Sequence, residues 1–495
     1  MKIFVVGGTG FIGRAIVAYL QRDGHSIVAW VRDYKRARNL MGSEVRMIEH
    51  PSEPSLLVEL ENADVVINLS GESLASGRWS VRKKEIFLES RVGVTSMLAR
   101  VINECKTPPK VLISASAVGY YGNKGITELD ENSQAGNGYL AKLCKDWESA
   151  ALMAEKAGTR VCLLRLGVIL GREGGVLINL DRALLFSMSA YFGKGDQIIP
   201  WIHMIDVVRI IQICIESKII RGPINCTAPM PVTSKEFAQQ IRDITGCKIL
   251  LRIPAFLIKI LLGEASNLLM YSHNVIPKKL KKLGYEFEYG NLKDALYEEF
   301  SSESISIKKY SDLNVLLEKD KNTESSGVIN TFGGTLQKDG YRIQKGQYTL
   351  NTKVTLHRDA KDVFSFFSSP LNLGFLTPSW MKFRILEVPD TIEAGSRIIY
   401  RINLGILGIK FKWTTKVVTW HPDQVFVDIQ ESGPYSLWFH QHTIQSTDSG
   451  LVEMGDVVIY RVPFGILGKV AHRLFIKKTL TRIFNYRRKV IQMRF

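Results

Sequence analysis

Hydrophobic positions in the first 170 residues come in short continuous runs that are separated by amphipathic helical stretches. The runs that we interpret as strands are KIFVVGG, SIVAWVR, ADVVINLSG, KVLISAS and RVCLLRLGVIL. Strands that are apolar on both faces and alternate with helices are typical of a parallel sheet with helices on both sides. We therefore predict a doubly wound α/β domain at residues 1–230.

The pattern changes twice further along the chain. Residues 171–300 are mostly helical, and we expect residues 231–300 to form a helical cap on the first domain. Residues 301–344 are rich in Ser, Lys, Asp, Glu and Asn, which indicates a polar linker. After it, strand-like stretches and a final helix from about Ile466 to Gln492 predict an α+β domain at residues 345–495.

Length and cysteine spacing limit the class of protein. With 495 residues the chain is too long for one core, and it has no run of 18 apolar residues to span a membrane. The stretch MKIFVVGGTGF reaches a glycine loop after one buried strand, so we interpret it as part of the fold and not as a signal peptide. The six cysteines show no C-x-x-C spacing, and we expect free thiols in a cytoplasmic protein.

The net charge of +17 is unevenly distributed. Residues 345–495 hold 21 Lys and Arg and 11 Asp and Glu, a net of +10, and residues 469–495 hold nine basic residues and no acidic one. A basic face attracts acidic partners such as lipid headgroups. We expect either a solvated basic helix or a peripheral membrane contact at the C-terminal helix, and no nucleic acid partner.

A glycine-rich loop connects the first strand to the first helix. Glycines at such a turn let backbone N–H groups approach a pyrophosphate, and the helix N-terminus adds a favourable field. The strand, loop and helix context supports a dinucleotide site. The cofactor-binding residues predicted here are Gly7, Gly8, Thr9, Gly10, Phe11, Ile12 and Gly13.

The end of the second strand distinguishes NAD from NADP in a fold of this kind. An acidic side chain there would bind the ribose 2′-hydroxyl of NAD. Here Arg32 follows the strand directly. A guanidinium binds a 2′-phosphate through two hydrogen bonds, and one charged contact is worth about 1.5–3 kcal/mol. Asp33 is the competing acidic group, and we predict NADP as the cofactor.

Residues 1–300 resemble the extended short-chain dehydrogenase/reductase superfamily, and within it an atypical epimerase-like subgroup. The stretches that carry the resemblance are GGTGFIG, INLSGES, GRW, SRVGVT, LISASAVGYYG, LCKDWE, LRLGVILG, WIHMIDVVR and GPINCTAP. The resemblance implies an NAD(P)-binding Rossmann-like domain with a helical cap. It also implies an oxidoreductase or epimerase acting on a carbonyl or alcohol.

The catalytic pair of the wider superfamily is missing from this chain. The resemblance places Ser116 at the catalytic serine, with Ser114 beside it at the cofactor site. The pair normally occurs as Tyr-x-x-x-Lys-x-x-x-Glu, and alignment on Glu148 puts Leu140 at the tyrosine and Cys144 at the lysine. The subgroup shares this loss, so another group must supply the proton.

Two tyrosines after the serine strand are the candidate replacements, because hydride transfer needs a proton donor or acceptor beside the substrate carbonyl. We predict catalytic roles for Tyr120 and Tyr121, together with the serine. Lys124 has the Tyr-x-x-x-Lys spacing from Tyr120 but lies on a glycine-rich loop. His203 is either an acid near the cleft or a hydrogen-bonded helix cap. No set of His, Cys, Asp and Glu has the spacing of a metal motif, so we predict no metal site.

Polar residues at two further strand ends complete the predicted cofactor site. Asn68, Ser70 and Gly71 end the fourth strand, where the nicotinamide ribose passes in this superfamily. Arg165 ends a later strand beside the pocket. It either holds an anionic group of the cofactor or substrate or makes a structural ion pair.

Residues 345–495 resemble the helix-grip fold of the START-like or SRPBCC superfamily, which includes polyketide cyclase-like and coenzyme-Q-binding members. The supporting stretches are AKDVFSFFSSP, SGPYSLWFHQHTI and DVVIYRVPFGILG. The resemblance implies a hydrophobic ligand held between sheet and helix. Trp438, His440 and His442 alternate on one strand and share a face, where they either line such a cavity or pack in a core.

Two hypotheses for function remain open. The first is an NADP-dependent oxidoreductase or epimerase with a small or lipid-like substrate and a fused ligand-binding domain. The second is a non-catalytic sensor or carrier that binds NADP(H) and a lipid, which the missing tyrosine and lysine favour.

Overall fold

The computed structural model describes residues 1–42, 44–171, 173–185, 187–300, 305–309, 347–389, 392–404, 409–447 and 451–495. The chain divides into two compact units, Met1–Ser301 and Ser302–Phe495. Within the described ranges, no helix is long and apolar enough to cross a membrane. Of the predicted linker, only residues 305–309 belong to the described part.

The first unit is an α/β unit built on a parallel sheet. Its strands are β1 (Lys2–Val6), β2 (Ser26–Val31), β3 (Arg46–Glu49), β4 (Val65–Asn68), β5 (Val111–Ala117), β6 (Gly125–Leu129), β7 (Arg160–Leu166), β8 (Val168–Leu170), β9 (Met188–Phe192), β10 (Ile198–Ile199), β11 (Trp201–His203), β12 (Gly222–Cys226), β13 (Val232–Thr233), β14 (Ile249–Ile253) and β15 (His273–Val275). Its α-helices are α1 (Phe11–Arg22), α2 (Tyr34–Met41), α3 (Glu53–Glu61), α4 (Val81–Leu88), α5 (Val94–Glu104), α6 (Tyr139–Leu152), α7 (Gly175–Leu185), α8 (Met204–Glu216), α9 (Ser234–Thr245), α10 (Ala255–Leu262), α11 (Asn267–Met270), α12 (Lys278–Lys282) and α13 (Leu292–Phe300).

Seven strands form the parallel sheet, in the order β12-β7-β5-β4-β1-β2-β3. Alternate residues of β1 pack in the hydrophobic cores on opposite faces of the sheet, because successive side chains of a strand point to opposite faces. Ile3 packs in the core beneath α1 and α8, whereas Phe4 packs with Leu98 of α5. Both faces are therefore covered by helices, and the predicted doubly wound parallel sheet is confirmed.

The carboxyl-terminal part of the first unit is mainly helical, as the sequence predicts for residues 231–300. Helix α9 begins with a capping box, in which Thr233 and Glu236 each bind the other's backbone N–H. Phe237 of α9 and Leu296 of α13 pack in one core with Trp201 of β11.

The described part of the second unit is a single antiparallel sheet with helices. Its strands are β16 (Ile305–Lys309), β17 (Tyr348–Leu356), β18 (Arg384–Glu387), β19 (Arg397–Leu404), β20 (Ile409–His421), β21 (Val425–Ser432), β22 (Leu437–Ser446) and β23 (Val452–Arg461). They lie in the order β16-β17-β23-β22-β21-β20-β19-β18. Its α-helices are α14 (Ala360–Ser368), α15 (Gly465–Ala471) and α16 (Lys477–Arg494).

Strand β16 lies inside the stretch that the sequence indicates as a linker. It pairs antiparallel with β17, with Ile305 opposite Thr352 and Lys309 opposite Tyr348. Ile305 is buried in the core of the second unit. The stretch is polar overall, but Ile305 and Ile307 alternate with polar residues and face the core, as an edge strand requires.

The predicted final helix is interrupted by a five-residue π turn, His472–Ile476, between α15 and α16. Phe484 packs on the sheet and is 4% exposed, whereas Val470 and Leu474 are 51% and 50% exposed. The near-helical spacing of Val470, Leu474, Ile483 and Phe484 predicts that all four face the sheet, and for Val470 and Leu474 this prediction is wrong. Their near-helical spacing with Phe484 assumes one continuous α-helix, and the wider π turn changes the register before α16.

Candidate functional site

The loop after β1 has the close backbone packing of a dinucleotide cradle. Gly7 has a φ of +82°, and a Cβ on it would lie 2.5 Å from the carbonyl oxygen of Leu69. A Cβ on Gly13 would lie 2.2 Å from the carbonyl oxygen of Gly7. Gly10 precedes the first residue of α1, Phe11. The loop therefore admits only glycine at positions 7 and 13 and leaves backbone N–H groups at a helix N-terminus, which fits a pyrophosphate.

The two charged residues after β2 are in different situations. The side chain of Asp33 caps α2, where its Oδ1 accepts a hydrogen bond of 2.9 Å from the backbone N–H of Arg36. The side chain of Arg32 is 78% exposed, and its Nη1 lies 3.5 Å from Glu72 Oε2. The carboxylate of Asp33 is thus hydrogen-bonded to the start of α2, while the guanidinium of Arg32 is exposed to solvent.

The polar residues at the ends of β4 and β5 bind one another. Asn68 is fully buried, and its Nδ2 donates to Thr95 Oγ1 at 2.7 Å and to Ser114 Oγ at 3.3 Å. Ser70 donates its hydroxyl to Asn68 Oδ1 at 2.6 Å. The side chains of Asn68 and Ser114 therefore join strands and helix inside the protein. A direct contact of Ser70 or Gly71 with a cofactor stays a prediction.

Ser116, Arg165 and Tyr121 meet around Glu148 of α6. Ser116 donates to Glu148 Oε1 at 2.7 Å, and Arg165 donates to both carboxylate oxygens, at 2.9 Å each. Arg165 Nη1 also donates to the Tyr121 hydroxyl at 2.9 Å, and that hydroxyl donates to Asn225 Oδ1 at 2.7 Å. Arg165 therefore makes the structural ion pair, one of the two roles that the sequence leaves open.

Burial separates the members of this cluster from solvent. Ser116 is 1% exposed and Tyr121 is 0% exposed. Burial raises the pKa of Tyr121 to about 12. The predicted role of Tyr121 as a substrate-facing hydroxyl does not agree with this position, because its hydroxyl is fully engaged inside the protein.

Tyr120 is the predicted acid–base residue that is not fully buried. Its ring lies beneath the Arg165 guanidinium, 3.6 Å from the guanidinium carbon to the ring centre. It also packs edge-on against Tyr121, with ring centres 5.4 Å apart. Tyr120 is therefore in contact with the buried cluster through the face of its ring.

The two residues at the positions of the missing pair are buried on α6. Leu140 is 7% exposed and Cys144 is 5% exposed, and both lie near Gly119. Burial raises the pKa of Cys144 to about 12, so the thiol is protonated at neutral pH and is a poor nucleophile. The hypothesis that Cys144 is a buried helix thiol, not a reactive one, fits this environment.

His203 takes the helix-cap role. Its Nδ1 accepts from the backbone N–H of Ile205 at 3.3 Å, and its Nε2 lies 2.9 Å from Glu299 Oε1. It is 2% exposed. The alternative role as an acid in the cleft does not fit a side chain held at both nitrogens.

The second unit contains a cavity of about 160 Å³ between the sheet and the final helix. The wall from α16 consists of Leu480, Ile483, Phe484 and Arg487. Trp438, His440 and His442 line it from β22, the first of the two arrangements that the sequence leaves open. An apolar cavity of about 150 Å³ is large enough to bind benzene.

Sequence reasoning missed the charged groups that accompany the two histidines. Asp428 from β21 and Asp456 from β23 lie beside them on neighbouring strands, and Arg487 reaches them from α16. The available signal was the His-x-His spacing on one strand. Its partners are distant in sequence and meet only through strand register.

Comparisons with known proteins match the first unit. The profile of the NAD-dependent epimerase/dehydratase family matches residues 3–225, and a domain of unknown function, DUF1731, matches residues 253–299. The chain is 37% identical over 299 residues to the chloroplastic epimerase family protein SDR39U1 homolog of Arabidopsis thaliana, covering 60% of this chain and 86% of that protein. It is 33% identical over 297 residues to the epimerase family protein YfhF of Bacillus subtilis, covering 60% of this chain and 97% of that protein.

Two solved structures agree with these matches. Human epimerase family protein SDR39U1, solved with NADPH, is 29% identical with a TM-score of 0.54, covering 60% of this chain and 99% of that chain. A nucleoside-diphosphate sugar epimerase from Corynebacterium glutamicum is 29% identical with a TM-score of 0.50, covering 69% of this chain and 67% of that chain. The chain belongs to the NAD-dependent epimerase/dehydratase family.

Proposed function

We propose that the first unit binds NADP(H) in preference to NAD(H). The observation that supports this most strongly is the contrast at the end of β2, where Asp33 is engaged as a helix cap and Arg32 is exposed. The glycine loop provides the pyrophosphate cradle. The human relative solved with NADPH supports the same cofactor.

The reaction that we propose is an NADP-dependent oxidation, reduction or epimerisation of a small or lipid-like carbonyl or alcohol. The bound cofactor supplies hydride exchange. Tyr120 moves the accompanying proton, and the Arg165 guanidinium over its ring holds the ring in place. Ser116 acts through Glu148, which holds Arg165 in place.

The test is oxidation of NADPH by the purified protein in the presence of a panel of carbonyl compounds. We expect Tyr120→Phe combined with Ser116→Ala to lower turnover by about 100-fold or more, the scale of lost acid–base assistance. Cys144→Ser should leave it largely unchanged, and so should Tyr139→Phe, the matched tyrosine control. Turnover that survives the double change but not Cys144→Ser would reverse these roles.

The runner-up is a protein that binds NADP(H) and a lipid without turnover. Replacement of the usual pair by Leu140 and Cys144, both buried, favours it. A protein that binds NADPH but oxidises it with no member of the carbonyl panel would support this second function.

For the second unit we propose a START-like helix-grip domain that holds a hydrophobic ligand. The support is the antiparallel sheet, the long helix α16 and the largely apolar cavity between them. Native mass spectrometry of the protein purified from cells should show a copurified apolar ligand. A protein that carries none and takes up neither a hydrophobic dye nor a lipid in titration would contradict the proposal.

We also propose a peripheral membrane contact through the start of the final helical segment. Phe464, Ile466 and Leu467 are 81%, 78% and 75% exposed. The nine basic residues of the stretch that follows have no acidic neighbour in sequence. Exposed apolar residues beside basic ones suit a surface of acidic lipids.

A further inference from the structure

Four ionisable side chains gather at one wall of the cavity in the second unit. His440 and His442 are two residues apart on β22 and therefore share a face. Asp428 of β21 lies directly opposite His440, and Asp456 of β23 lies directly opposite His442. Directly opposite residues point to the same side of a sheet, so strand register brings the four side chains together.

Asp456 binds one ring nitrogen of each histidine. Its Oδ1 lies 3.1 Å from His440 Nε2 and 2.8 Å from His442 Nδ1. A guanidinium nitrogen of Arg487 lies 3.2 Å from the same oxygen and 3.0 Å from His442 Nδ1. Burial raises the pKa of Asp456, but Arg487 and the two histidines outweigh it and hold the pKa well below its usual value. Asp456 is thus a carboxylate that accepts from Nε2 of His440, while Nδ1 of His442, which also touches it, accepts a hydrogen bond from Arg487.

The other two ring nitrogens turn toward Asp428. His442 Nε2 lies 3.2 Å and His440 Nδ1 lies 3.8 Å from Asp428 Oδ2. Imidazole nitrogens and carboxylate oxygens are both common ligands of transition metal ions. Two imidazoles and one carboxylate therefore converge at one wall of the cavity.

The separations of these atoms suit a metal ion. Ligand atoms from all three residues lie within 4.8 Å of one another. Two ligands at about 2.1 Å from a tetrahedral metal lie about 3.4 Å apart, which falls between the two distances to Asp428. A carboxylate at the remote ring nitrogen, as Asp456 is at Nε2 of His440, is also the usual outer partner of a metal-binding imidazole.

We propose that Asp428, His440 and His442 bind a divalent transition metal ion, with Asp456 as the positioning residue for both imidazoles. Two imidazoles and one carboxylate select zinc or iron(II) over calcium or magnesium. The three ligands line the cavity, so the remaining coordination positions of the ion face its interior. The ion would bind the polar group of a ligand whose apolar part fills the cavity.

This site is independent of the cofactor proposal for the first unit. The full-length protein, treated with a chelator and dialysed, is titrated with Co²⁺ and followed by visible absorption and calorimetry. We expect one equivalent to bind, with d–d bands of nitrogen and oxygen coordination, and Zn²⁺ to displace it. Failure of the parent protein to bind Co²⁺ or Zn²⁺ would overturn the proposal and indicate a proton shared within the cluster.

Variants separate the proposed ligands from the positioning residue. His442→Gln and Asp428→Asn should abolish stoichiometric binding, and Asp456→Asn should weaken it by about 10–100-fold. His357→Gln changes an exposed histidine of the same unit and should bind like the parent. Near-UV circular dichroism of the tryptophans checks folding. If a variant of a proposed ligand folds and still binds one equivalent of Co²⁺, the proposal is contradicted. If a variant does not fold, the titration of the parent protein alone tests the proposal.

Discussion

Glu148 organises the buried polar centre of the first unit. Its two carboxylate oxygens bind Ser116 and Arg165, and Arg165 in turn holds the Tyr121 hydroxyl. Family resemblance used this glutamate only to align the helix. The arrangement shows why the residue matters in this chain even though the tyrosine and lysine before it are lost.

We expect Glu148→Gln to destabilise the first unit by about 3–5 kcal/mol. The change leaves the Arg165 guanidinium buried without its counter-charge, and loss of one partner of a buried ion pair has a cost of that order. Urea denaturation measures it. The exposed Glu155→Gln should change the unfolding free energy by less than about 0.5 kcal/mol. Equal stability of the two variants would show that the ion pair is dispensable.

His273 makes the stability of the first unit depend on pH. Burial lowers its pKa from 6.5 to about 4. Between these values the unfolded chain binds a proton that the folded chain does not, so the stabilisation present above pH 6.5 is lost as pH falls toward 4. Urea midpoints between pH 7.5 and 4.5 should fall less steeply for His273→Gln than for the parent. The exposed His357→Gln should keep the parent slope, and equal slopes for all three would refute the assignment.

At the scale of elements, strand β16 bears on where the second unit begins. It forms the edge of the sheet and buries Ile305, although it precedes the predicted boundary at residue 345. A fragment of residues 302–495 should therefore have a higher melting temperature than one of residues 345–495. Thermal unfolding by circular dichroism compares them, and identical melting temperatures would mean that the strand adds no stability.

Helix α15 supplies the proposed membrane contact. Leu467→Glu should lower cosedimentation of the protein with vesicles that contain phosphatidylserine, because it places a negative charge among the exposed apolar residues. Ile219→Glu is a matched control, since both parent residues are 75% exposed. Binding should also weaken as salt screens the basic residues. Parent protein that does not cosediment at low salt would exclude this contact.

At the scale of the whole molecule, the sequence predicted the parallel α/β sheet of the first unit and the strands of the second, where the pattern depends on local burial. Strands such as β1 and β5 are apolar on both faces and stand out from the helices between them. Strand β16 and the π turn before α16 could not be recognised in this way, because their conformations depend on packing against strands that are distant in sequence. The same limit applies to sites, since Asp428 and Asp456 join the histidines only through register.

The binding of NADPH and NADH by the same protein tests the proposed function most directly. Isothermal titration of the parent should give a dissociation constant about 10- to 100-fold lower for NADPH, the scale of one charged contact to the 2′-phosphate. Arg32→Ala should remove most of that difference, whereas Arg46→Ala, at an exposed arginine of the neighbouring strand, should preserve it. Equal dissociation constants for NADPH and NADH in the parent protein would contradict the assignment of Arg32 and of the cofactor.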